Sequence, residues 1–149
     1  MPWQGQQSAV TLEHDPWRPV PRRGGHLGLD SGPVDRADID SRADMMVFTA
    51  EACPKPECLM GQPLASLDCW SDEGGFDLCC ALSVVGAAGL RALQISTGVC
   101  LVRERAVAQP RCRRQVRLQP FLLTLQTGQR LRLYHPSWGQ AGPEHRVTG

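Results

Sequence analysis

The stretch from Phe76 to Arg105, FDLCCALSVVGAAGLRALQISTGVCLVRER, constrains the fold more than any other part of the chain. It holds most of the uninterrupted apolar sequence, so any core must draw on it. Asp77, after the Gly74-Gly75 breaker, suits a helix N-cap, and Gly98 stands where a helix exit belongs. These signals predict an apolar helix over about 77–95. Leu78, Leu82, Val85 and Leu93 would form its buried row, with Arg91 and Gln94 emerging at the C-terminal end, where a cation complements the helix dipole.

The same residues pose a membrane alternative. Leu78–Leu90 would make a helix of only ~20 Å, against a hydrocarbon core of ~30 Å. Extension to Val102 reaches ~37 Å, but it places Arg91 near the centre at a cost of ~2.5–3.5 kcal/mol. Ten Leu, Ile and Val residues return roughly 3–6 kcal/mol, and the other polar residues and glycines consume that gain. The sum is near zero and leaves the energetics open. A helix packed on strands is favoured because it explains the same residues without strain, with Arg91 at the helix exit. The alternative is a single-pass protein spanning about 78–102, its basic C-terminus in the cytosol by the positive-inside rule.

Beyond the helix the pattern turns to strands. GVCLVRERAVA (98–108) is rich enough in β-branched residues for one. RQVRLQPFLLTLQTGQRLRLYH (114–135) reads as a hairpin turning at Thr127-Gly128-Gln129, with Leu131 and Leu133 alternating against Arg130 and Arg132. Pro120 makes the first arm an edge strand or delays its start. The predicted fold class is therefore a small α+β domain: one apolar helix (about 77–95) packed on two or three strands (about 98–135), with disordered N-terminal and C-terminal segments. Residues 1–44 read as a Pro/Gly/charge-rich disordered tail, 45–75 as a Cys/Pro-containing loop region, 76–135 as the compact α+β region and 136–149 as a flexible tail.

Charge is polarised along the chain. Residues 1–80 carry thirteen acids and six bases, and residues 81–149 carry two acids and ten bases. Arg103, Arg105, Arg111, Arg113, Arg114 and Arg117 form the densest basic segment, opposed only by Glu104. Guanidinium groups grip phosphates and carboxylates bidentately, so an acidic protein or RNA is the expected partner. No aromatic residue is interleaved for base stacking. Arg-rich, Lys-poor and Asn-free composition also follows from GC-rich codons, which leaves a reading in which the chain carries no selected function. In PWRPVPRR, Pro16, Pro19 and Pro21 with Arg22 and Arg23 offer a polyproline ligand of the SH3-binding type.

Other chemistry is weakly signalled. The Cys53 and Cys58 thiols of CPKPEC are held on the order of 15 Å apart by extended, proline-locked chain, too wide for one zinc ion, and no metal site is predicted. Seven cysteines fit no complete disulfide framework. SVVGAAGLRAL lacks G-x-G and a preceding strand, and no phosphate-binding loop occurs, so no cofactor is predicted. His14-Asp15, Cys53 and Ser83 can be assembled into a triad only on paper, and no catalytic residue is predicted. The N-terminus has no secretory pattern. Taken together, the sequence predicts a non-enzymatic intracellular protein, cytoplasmic or nuclear, that acts by binding, with the membrane protein as the alternative.

Overall fold

The computed structural model describes residues 9–12, 17, 20, 21, 23, 24, 32–71, 76–103, 112–138 and 145–148. In chain order these form β1 (Ala9–Leu12), α1 (Ala37–Asp40), β2 (Met45–Thr49), β3 (Glu57–Gly61), β4 (Leu64–Ser71), β5 (Phe76–Val85), β6 (Ala92–Val102), β7 (Cys112–Arg117), β8 (Phe121–Leu125), β9 (Arg130–Trp138) and β10 (His145–Thr148).

The Phe76–Val102 stretch is a pair of antiparallel strands. Phe76, Leu78 and Cys80 are buried on one face of β5, and Ala81, Ser83 and Val85 are buried on the other. A strand covered on both faces has no polar alternation, so it reads as a continuous apolar run that periodicity cannot separate from a helix. The small residues of GAAG make the reversal into β6. Gly89, at φ +74°, takes the left-handed conformation a side chain would strain, and its N–H donates to the Gly86 carbonyl at 2.8 Å. The predicted helix at 77–95 is thus corrected to β5, a turn and the start of β6. A span across 78–102 falls with it: among the described residues no helix is long and apolar enough to cross a membrane.

Two four-stranded sheets, ordered β1-β10-β4-β7 and β2-β9-β5-β6, carry the core, and β3-β8 form a separate two-stranded ribbon. Every strand pair is antiparallel. This order is that of a jelly-roll sandwich, with the ribbon inserted between β2 and β4 on one side and β7 and β9 on the other. Met46, Leu67, Phe76, Leu78, Val102, Val116 and Leu118 fill the space between the sheets. Near the β6/β7 edge a Cβ added at Gly98 would overlap the Arg117 carbonyl oxygen. The glycine lets the β7 exit approach β6 there.

The class-level expectation of one helix packed against several strands holds, with α1 as that helix. It lies in the segment expected to be a disordered tail, where Val20 and Ile39 pack with Met45, Ala81 and Tyr134 into a second apolar cluster on the outer face of the β2-β9-β5-β6 sheet. The turn at Thr127-Gly128 falls where expected, but its arms do not pair: β8 joins β3, and β9 lies between β2 and β5.

Candidate functional site

Two features could carry function: a buried polar cluster under the α1 segment, and an apolar cleft beneath the ribbon. The polar cluster follows from register. A bulge at Leu82/Ser83 leaves both Gln94 and Ser96 of β6 buried, facing opposite ways. Gln94 faces the α1 side, where its Oε1 accepts from Arg36 Nη1 at 3.2 Å and from the Tyr134 hydroxyl at 2.5 Å. The Arg36 guanidinium lies 4.0 Å above the Tyr134 ring centroid, a cation–π contact removed from water. Arg132 Nη1 reaches the buried Asp40 at 3.0 Å. Burial pushes the Tyr134 phenol up, against the opposing pull of Arg36. Burial likewise draws the Arg36 guanidinium down, while Tyr134 and Asp40 hold it up. At the segment's entry Asp35 accepts from the Ala92 and Ala37 amides and pairs with Arg91 at 3.0 Å, which together hold its carboxyl below the usual range. These contacts pin α1 to the sheet, and none presents a reactive group to solvent.

The cleft is built from the ribbon upward. Leu59, Phe121 and Leu123 turn inward, while Met60 and Leu122, paired across the ribbon, turn outward and are 82% and 68% exposed. Between the ribbon and the end of the sandwich runs a cleft of about 740 Å³, lined by Phe48, Leu59, Met60, Leu64, Phe121 and Leu131 among others, none of its lining residues ionisable. It continues into the core through Leu67, Leu82, Leu118 and Leu133.

The predicted arginines do not share one face. Arg113 pairs with Asp68 across β4 and β7 at 3.0 Å, and Arg103 pairs with Asp77 on the other sheet at 3.1 Å. Arg114 lies on the opposite side of β7 from Arg113 and Arg117 and is half-buried. Arg105 and Arg111 lie outside the described residues. Pro16, Pro19 and Arg22 also lie outside them; Pro21 is exposed, and Arg23 pairs with Asp38 at 2.9 Å. Sequence reasoning put FLLTL in a hairpin arm and ECLMG in a loop, and so missed the pairing that makes the ribbon. Its signal was the pair of short apolar runs ECLMG and FLLTL, which only long-range pairing joins.

Hydrolytic machinery is not assembled among the described side chains. His135 is buried, and its Nδ1 lies 2.6 Å from the Cys79 carbonyl, to which it donates. Ser83 sits on β5 under the α1 segment, and Cys53 Sγ donates to the Lys55 carbonyl in the loop after β2. Burial, with Cys79 nearby, pushes the Cys80 thiol far up and keeps it protonated. Among the described residues no group of three His, Cys, Asp or Glu stands together as a metal site.

Against known proteins, residues 6–134 match the family model of the X-Pro dipeptidyl-peptidase C-terminal non-catalytic domain. The chain belongs to this family. It is 33% identical to the cocaine esterase of Rhodococcus sp. (strain MB1 Bresler) over 104 residues, which is 68% of this chain and 18% of that protein. Among solved structures it resembles an aminopeptidase from the marine sediment archaeon Thaumarchaeota archaeon, with a TM-score of 0.78 and 15% identity over 97% of this chain and 31% of that one. An α-amino acid ester hydrolase gives 0.74 and 16% over 99% and 31%. A CocE/NonD family hydrolase from Staphylococcus aureus gives 0.60 and 11% over 98% and 32%. The chain therefore spans less than a fifth of the esterase and about a third of each of these structures. These matches overturn the expectation of a non-enzymatic binding protein, and with it the membrane alternative and the reading without selected function. The family is a hydrolase-associated domain. Sequence inspection had no short motif to find, because a non-catalytic sandwich carries none.

Proposed function

We propose that this chain is the non-catalytic β-sandwich of a hydrolase that cleaves ester or amide bonds. The match over residues 6–134 carries the reading. An esterase, an amino acid ester hydrolase, an aminopeptidase and a dipeptidyl-peptidase share one reaction, transfer of an acyl group to water. The nucleophile and general base belong to a catalytic portion beside this domain. The sandwich contributes a rigid body that packs on that portion and holds the walls of its site in the reactive geometry, where small misplacements are costly.

The test is a replacement chimera in which this chain takes the place of the matching stretch of the Rhodococcus esterase. The expected result is ester hydrolysis well above that of the esterase lacking the stretch, together with one cooperative thermal transition. A folded chimera no faster than the deletion, melting in two independent steps, overturns the reading.

A further inference from the structure

Resting on the reading of the chain as an accessory hydrolase domain, we propose that the β3–β8 ribbon and the cleft beneath it are the surface on which the catalytic portion docks. Met60 and Leu122, paired across the ribbon, are 82% and 68% exposed; Leu64, 50% exposed, lines the apolar cleft, which Met60 also borders. Charge is absent from the cleft lining. Elsewhere the surface carries ion pairs, Arg23–Asp38, Arg91–Asp35, Arg103–Asp77 and Arg113–Asp68 among them, beside exposed Val99 and Leu101 on β6. An apolar area depleted of charge is what the centre of a protein interface presents. The ribbon strengthens the case, because among the described strands β3 and β8 pair only with each other. A two-stranded ribbon with bare outer edges gains order when something covers it.

The occupant is a protein surface. A small ligand in a pocket is oriented by a few placed polar groups, and this lining offers side-chain polarity only at Gln62 and Ser66. It would also leave Leu122, which does not line the cleft, in water. The solved structures that share this fold are about three times as long as the part this chain covers, so a larger body stands beside the sandwich in each.

Cys58 is exposed on the ribbon, two residues from Met60, and reports coverage directly. Its maleimide labelling, resolved by peptide mass spectrometry, is compared between the chain alone and the Rhodococcus chimera. Labelling is expected to slow about tenfold or more in the chimera, as it does when a surface opens only by local unfolding. Met60→Arg with Leu122→Arg should restore fast labelling and split the chimera's melt in two, with the far-UV spectrum of the isolated variant unchanged. Leu101→Arg, on the exposed outer face of β6, should do neither. Fast labelling of Cys58 in a chimera that hydrolyses its ester overturns the docking face while leaving the accessory reading intact. A chimera that behaves as the deletion removes both. Concentration-dependent protection in the isolated chain would assign the surface to a second copy and overturn the proposal.

Discussion

Leu78 shows the residue scale at its simplest. It is wholly buried between the sheets, so Leu78→Ala should cost about 2–5 kcal/mol in denaturant unfolding, and a loss within experimental error would contradict the sandwich core. Asp35 makes a prediction about acid. Two backbone amides and Arg91 hold its folded pKa below the ordinary 3.8. In that window the unfolded chain binds more protons, so the contribution is intact above the unfolded pKa and is lost as pH falls through the folded one. Asp35→Asn should therefore lower the melting temperature at neutral pH and flatten its fall below about pH 4. Equal slopes for both proteins would contradict it. Arg91 itself was placed by sequence at a helix exit. It directly precedes β6 instead and pairs with Asp35, so neither its element nor the partner of its charge was legible.

At the scale of elements, Gly98→Ala forces β6 and the β7 exit apart and should cost about 1–3 kcal/mol by overpacking. An unchanged melting temperature would show that the two strands do not approach. Thiol reactivity separates the cysteines in the same way: Cys58 should react first, and Cys80, buried and held protonated, only on unfolding. Fast modification of native Cys80 would contradict its place in the core. Legibility followed coverage. The turn at Thr127-Gly128 was readable because local chemistry fixes it, and the strands of 98–102 and 130–135 were readable from their composition. β5 was not, since burial on both faces erased its period of two. The ribbon was not, because Glu57–Gly61 and Phe121–Leu125 lie some sixty residues apart in sequence and meet only in the fold.

On the scale of the whole molecule, charge polarity along the chain resolves into contacts between its halves. Asp35, Asp38, Asp40, Asp68 and Asp77 lie in the acidic half; all but Asp38 pair with arginines of the basic half. What the sequence presented as an arginine-rich binding segment is, at Arg103 and Arg113, part of the sandwich's own electrostatics. The sequence alone could not show membership of the X-Pro dipeptidyl-peptidase C-terminal domain family, since that knowledge resides in the match over 6–134. The central claim is that this sandwich works by docking through its ribbon, and amide hydrogen exchange in the chain alone and in the Rhodococcus chimera tests it most directly. The account predicts slower exchange in the chimera at Glu57–Gly61 and Phe121–Leu125, with β6 amides unchanged. Uniform exchange in both proteins, or protection confined to Cys112–Arg117, would contradict it.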